Sequence, residues 1–100
     1  MAIYVKRYDK NAKYWMNNAE YNQCFIRMMI NHFNTLLKTR GYVFLKDIYE
    51  YLGMPITRDS IIVGWIDGPT KYVDIVYEQA SDTEFMLKFR TDGIILTCFN

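Results

Sequence analysis

The sequence predicts an α+β fold in which one long and one short helix pack on a four-stranded antiparallel sheet, five-stranded if residues 2–8 join it. Three observations carry this. Apolar residues between Asn18 and Arg40 recur at steps of three and four, four β-type runs fill the chain after residue 60, and turn-forming residues separate those runs. The chain has 100 residues, the length of one small domain covering 1–100. Hydrophobic residues make up 51% and charged residues 23%, a balance that builds a packed core and excludes a disordered chain.

The first element is short. Ile3, Tyr4 and Val5 favour a strand. Over residues 1–16 the cations Lys6, Arg7, Lys10 and Lys13 outnumber the single acid Asp9 and interleave with Tyr4, Tyr8, Tyr14 and Trp15. This basic, aromatic stretch is either an N-terminal arm or an edge strand.

The long helix follows over 18–40. Tyr21, Phe25, Met28, Met29, His32, Phe33, Leu36 and Leu37 form one apolar stripe. Asn17 and Glu20 have capping-box spacing, Lys38 and Arg40 suit the negative end, and Gly41 can take the left-handed position beyond the last turn. At about 1.5 Å per residue such a helix runs roughly 35 Å, enough to cross a small sheet.

A brief β run, Tyr42, Val43 and Phe44, leads into a second helix over 46–52, whose face carries Leu45, Ile48, Tyr49 and Leu52 and which Gly53 and Pro55 stop. Strands are expected at 61–66, 72–77, 84–89 and 94–99. Asp92-Gly93 predicts a tight hairpin between the last two. Phe85, Leu87 and Phe89 alternate with Glu84, Met86, Lys88 and Arg90, so one sheet face is wet. The expected core is Phe25, Met29, Phe33, Leu36, Ile48, Leu52, Phe85, Leu87 and Phe89, with Cys24 and Cys98 as buried thiols.

Little chemistry is visible. His32 is the one side chain suited to proton transfer near neutral pH, and it sits beside Phe33 on the helix stripe. There is no nucleophile elbow, phosphate loop or dinucleotide fingerprint, and one histidine with two distant cysteines has no zinc spacing. The expectation is therefore no enzyme, no catalytic residue, no metal and no cofactor. Asp67, Asp74, Glu78 and Asp82 fall near one end of the second C-terminal strand but read as ordinary turn and surface acids. Residues 45–66 have the rhythm of a helix-turn-helix, yet the second helix would carry Arg58 alone before the β-branched Ile61, Ile62 and Val63. A strand is preferred there.

One stretch resembles a known group. Arg40-Gly41-Tyr42-Val43-Phe44-Leu45-Lys46-Asp47-Ile48-Tyr49, then Leu52-Gly53-Met54-Pro55, Val63-Gly64-Trp65, Tyr72-Val73-Asp74 and Phe89-Arg90-Thr91-Asp92-Gly93-Ile94-Ile95 are similar to the terminal domain of small uncharacterised proteins of phages and prophages of Gram-positive bacteria. The resemblance spans about residues 34–96 and implies a source and a fold unit rather than a reaction. It departs at Leu45-Lys46-Asp47, where relatives carry Leu-Asn-Asp, and at Lys88-Phe89-Arg90-Thr91-Asp92-Gly93, where they carry Asp-Phe-Asn-Val-Asp-Gly.

A working expectation follows. No run approaches the roughly 20 apolar residues that span a bilayer, and the start, MAIYVKRYDK, has no apolar signal core. The protein is expected in the bacterial cytoplasm, as a stoichiometric binder of a host or phage protein, for instance an inhibitor of a defence system such as a CRISPR effector. The expected binding residues are Tyr4, Lys6, Arg7, Tyr8, Lys10, Lys13, Tyr14 and Trp15, because Tyr, Trp and Arg anchor protein interfaces. Three alternatives stay open: Tyr4 and Trp15 simply cover the helix and sheet; the same stretch binds nucleic acid, despite a net charge of only +1; or the chain is a virion or assembly component that self-associates.

Overall fold

The computed structural model describes residues 2–99, and side chains over 2–97. In chain order the elements are β1 (Ala2–Asp9), α1 (Ala19–Arg40), β2 (Tyr42–Phe44), α2 (Leu45–Leu52), β3 (Gly64–Ile66), β4 (Asp74–Ser81) and β5 (Glu84–Thr91), with short 3-10 turns at Asp59–Ile61 and Leu96–Phe99. The fold is α+β. Three strands form an antiparallel sheet in the order β1-β5-β4, and β2 pairs separately with β3.

The N-terminal stretch is an edge strand over its first half. In the register Tyr4 opposite Phe89, Lys6 opposite Leu87 and Tyr8 opposite Phe85, alternate residues of β1 face the helices. Ile3, Val5 and Arg7 lie on the open face, exposed.

The helix ends form largely as their sequence dictates. Asn18, rather than Asn17, is the N-cap, its side chain accepting from the Tyr21 N–H at 3.0 Å. Gly41 closes α1 at φ 95 and donates its N–H to the Leu37 carbonyl oxygen. In α2 the Asp47 carboxylate accepts from the N–H of Phe44, the N-cap, at 3.1 Å and also holds Arg40 at 2.9 Å.

Two expected strands are corrected. Thr57 and Ser60 exchange backbone-to-hydroxyl bonds at 3.0 and 3.3 Å, winding residues 59–61 into a 3-10 turn and shortening the strand expected over 61–66 to Gly64–Ile66. No strand forms over 94–99, and Asp92-Gly93 is no hairpin. Both edges of β5 are already taken, by β1 and β4, so the chain leaving it has no free side to fold back on. It runs instead against Val63 and Gly64: Asp92 N–H donates to the Gly64 carbonyl at 2.9 Å, Gly64 N–H to the Gly93 carbonyl at 3.1 Å, and Val63 bridges Ile94.

The core lies between the helices and the inner sheet face. Met29, Phe33, Ile48, Leu52, Phe85, Leu87 and Phe89 are buried in it as expected, while Phe25 and Leu36 are half-buried at its margin. Tyr8, Ala12, Ile26, Leu37, Val43, Leu45, Tyr49, Val63, Trp65 and Val73 complete it. Cys24 is an exposed free thiol rather than a buried one, and the Cys98 side chain lies outside those described. Among the described residues no helix is long and apolar enough to cross a membrane.

Candidate interaction face

The eight binding residues expected from the sequence do not form one surface. Tyr8 is fully buried, its ring edge-on to Trp15 at 5.2 Å, and Trp15 in turn meets Phe85 at 6.3 Å. Tyr4 is half-buried against the core. These three aromatics are packing residues. Arg7 points to the open sheet face and pairs with Glu84 at 2.8 Å, Lys6 lies over the Tyr49 ring at 5.7 Å on the inner side, and Lys10 is exposed on the loop that follows β1. Lys13 and Tyr14 share one surface, with the Lys13 ammonium 5.5 Å from the Tyr14 ring centre, while Lys6 lines separate hollows with Tyr4 and with Arg7.

That surface is built mostly from α1 and α2. The buried polar residue Asn22 decides how α1 sits: its side-chain carbonyl accepts from the Met16 N–H at 3.0 Å, and its amide donates to the Met16 carbonyl at 2.6 Å. Tying the 10–16 loop down at Asn22 turns α1 so that Asn22, Ile26, Met29, Phe33 and Leu37 face inward. The stripe expected from Tyr21, Phe25, Met28 and His32 rolls to the margin, where Tyr21, Met28 and His32 are exposed.

There the rings stack. Tyr21 and Phe25 lie nearly parallel, 8° apart with centres 6.4 Å apart; Phe25 stacks on Tyr51 of α2 at 5.2 Å; Tyr51 stacks on His32 at 5.5 Å. Tyr14 tilts against Phe25 at 6.4 Å. Lys13, Met16 and Glu50 border the shallow hollow among these rings, about 480 Å³ in volume. Tyr21, Met16 and Met28 are each about half exposed, at 49%, 50% and 56%. Tyr51, which joins the two halves of the row, lies outside every periodic pattern read from the sequence.

The loop bearing Tyr14 is seated on the end of α2. Lys13 N–H donates to the Gly53 carbonyl at 2.9 Å, and Gly53 has φ 73. A β-carbon on Gly53 would lie 2.7 Å from the Lys13 β-carbon and 2.9 Å from Tyr14 Cδ2, so only glycine allows this approach.

The chemistry elsewhere is sparse. His32 is a stacking partner on this face rather than a buried group. Asp67 pairs with Lys38 at 2.6 Å, and that bond holds its carboxyl below the usual range. Asp74 lies 4.0 Å from Arg90. Among the described residues no three histidines, cysteines or carboxylates gather as metal ligands would.

A family model matches residues 2–98, from the first residue of β1 through the last turn. The chain belongs to DUF6353, a family of unknown function. The DUF6353 match is wider than the motif resemblance over residues 34–96: it takes in β1, the 10–16 loop and the N-terminal half of α1, and so the whole ring row. No curated protein and no solved structure matches the chain.

Proposed function

We propose that this DUF6353 member is a non-enzymatic, phage-encoded module that binds a host protein stoichiometrically through its aromatic face, as an inhibitor of a defence component such as a CRISPR effector would. The observation that carries the reading is the row Tyr21, Phe25, Tyr51 and His32, exposed at Tyr21 and His32 and half-buried at Phe25 and Tyr51, flanked by the exposed Tyr14, Met16 and Met28. Tyrosine, phenylalanine and methionine are the residue types enriched where proteins meet, and stacked rings on two rigid helices present a large apolar area with little conformational freedom left to lose. The phage source rests on the motif resemblance of residues 34–96.

The nucleic-acid alternative draws less support from the placement of these residues. It needs cations and aromatics on one surface, and of the expected residues Arg7 is paired with Glu84, Lys6 stands over the Tyr49 ring, and Tyr8 is in the core.

The test compares wild type with the double variant Tyr14→Ser, Tyr21→Ser in capture from a host-cell lysate at about 50 mM and about 300 mM salt, since phosphate-driven binding is lost over such a range. A discrete protein retained by wild type at the higher salt and lost by the double variant, with both proteins equally folded by circular dichroism, supports the reading. Capture that nuclease or salt abolishes, or that the double variant keeps, overturns it. Recovery of a virion protein in place of a host protein would move the assignment to assembly.

A further inference from the structure

The outer face of the three-stranded sheet carries apolar side chains in the open. Ile3, Val5 and Val76 are 51%, 56% and 46% exposed there, on the side away from the core. The strand registers lay the face out in rows across β1, β5 and β4: Ile3, Arg90 and Asp74; then Val5, Lys88 and Val76; then Arg7, Met86 and Glu78. Asp9, Glu84 and Ser81 close the far end. A shallow hollow of about 320 Å³ lies among Val5, Val76 and Met86, so the apolar residues gather in the middle rows.

The charges are sorted along the central strand. Down β5 the outward residues run Arg90, Lys88, Met86 and Glu84, with cations at one end and an acid at the other. Arg7 pairs with Glu84 at 2.8 Å, Arg90 lies 4.0 Å from Asp74, and Asp9 at the margin accepts from the Asn11 N–H. Lys88 and Glu78 are exposed and make no ion pair among the described residues.

The cations Arg7, Lys88 and Arg90 balance the acids Asp74, Glu78 and Glu84, so net charge selects neither an acidic nor a basic partner. What the face has is an order of signs, and its own reverse answers that order. Turning a second copy end for end, about a two-fold axis that crosses the strands between the Lys88 and Met86 rows, sets Arg90 opposite the other copy's Glu84. The same turn sets Lys88 beside Glu78, and Met86 between Val5 and Val76. An axis running along β5 would stack Lys88 on Lys88 and Arg90 on Arg90, which like-charge repulsion opposes.

We infer that this face is covered by the same face of a second copy, turned end for end in a two-fold dimer. Each copy gives its Met86 side chain to the other's hollow, and each unpaired Lys88 meets an unpaired Glu78. Three strands of eight residues make a footprint of roughly 26 by 14 Å. That is the low end of interface sizes, so the dimer is weak and fills as concentration rises. The aromatic rings of α1 and α2 stay outside the interface, and the inference does not rest on their role.

Sedimentation equilibrium of the full chain tests it, from about 10 µM to about 1 mM at about 50 mM salt, where a weak interface fills and its charges are little screened. The expected mass rises from one chain toward two. Amide shifts should follow concentration at the outward residues of β1, β4 and β5, and mixed labelled and unlabelled chains should show contacts from the Met86 methyl to those of Val5 and Val76. The charges allow a sharper test. Lys88→Glu alone sets acid against Glu78, and Glu78→Lys alone sets cation against Lys88, so each variant by itself should dimerise about tenfold more weakly than wild type. An equimolar mixture of the two restores both pairs and should dimerise as wild type does, which also shows that both variants are folded. A one-chain mass at every concentration, shifts centred on Tyr21 and Tyr51 or on any other surface, single variants that associate as tightly as wild type, or a mixture no tighter than its components would each overturn the inference.

Discussion

Trp65 donates its indole N–H to the main-chain carbonyl oxygen of Arg90 at 2.8 Å. The bond crosses from one sheet to the other, since Trp65 lies on β3 and Arg90 on β5. The next turn adds to it: the Asp92 carboxylate accepts from the Ile66 N–H at 2.9 Å and from the Lys71 ammonium. Because α2 lies between β2 and β3 in the chain, these bonds also fix where α2 sits under the main sheet, and so where Tyr51 meets Phe25.

Trp65→Phe should therefore lower stability by about 1 to 3 kcal/mol, the penalty for leaving a carbonyl without its donor, with a smaller ring adding a void. Trp65 is only 1% exposed, so water cannot readily replace the lost donor. The measurement is the urea midpoint, with an unchanged slope expected. A midpoint equal to wild type would mean that the two sheets are held together by other contacts.

What the sequence disclosed divides by range. Features set within a few residues were legible: α1 ends at Gly41 and starts one residue beyond the expected Asn17 cap, at Asn18, and the alternation along β5 put Phe85, Leu87 and Phe89 inside. Features set by partners distant in sequence were not. Asp92-Gly93 has the local chemistry of a hairpin, but β1, some eighty residues earlier, already holds that side of β5. The stripe of α1 was placed one step off because a single buried asparagine, Asn22, anchors the 10–16 loop, and polar residues are invisible to an apolar periodicity. The aromatic face was half visible: Lys13 and Tyr14 were named for their residue types, Phe25 was assigned to the core, Tyr21 and His32 were placed on the helix's apolar stripe, and Tyr51 carried no signal. The three-and-four spacing that marks a buried stripe is also the spacing that stacks rings along a helix surface.

Core and face should separate cleanly under truncation. Leu87 is fully buried in the central strand, and Leu87→Ala should cost about 2 to 5 kcal/mol through lost transfer energy and the cavity left behind. Tyr21→Ala, at a half-exposed site whose ring touches only Phe25 among the stacked rings, should stay within about 0.5 kcal/mol of wild type, apart from a small loss of stacking. Thermal or urea unfolding of the two variants side by side decides this. Equal losses would make the ring row a part of the core and remove it as a docking surface.

The last expectation concerns alkaline pH. Burial pushes the phenols of Tyr8 and Tyr49 up to about 12 from an ordinary value near 10, with smaller contributions from Tyr21 in the first case and from Tyr4 and Asp59 in the second. Below about pH 10 folded and unfolded chains both keep these protons, and the full stability is present. Between about pH 10 and about pH 12 the unfolded chain releases them while the folded one holds them, so stability falls as pH rises and this contribution is lost through the upper value. Tyr8→Phe removes one of the two most strongly shifted phenols. It also removes a buried hydroxyl with no partner, so the variant should be more stable than wild type by about 1 kcal/mol at neutral pH. Its urea midpoint should then decline less steeply above about pH 10, with one phenol fewer to drive the unfolding. Phenolate absorbance followed through the same range gives an independent reading: two tyrosines should resist ionisation until the chain unfolds, and one in the variant. Identical alkaline slopes for the two proteins would show that Tyr8 ionises as readily in the fold as in the open chain.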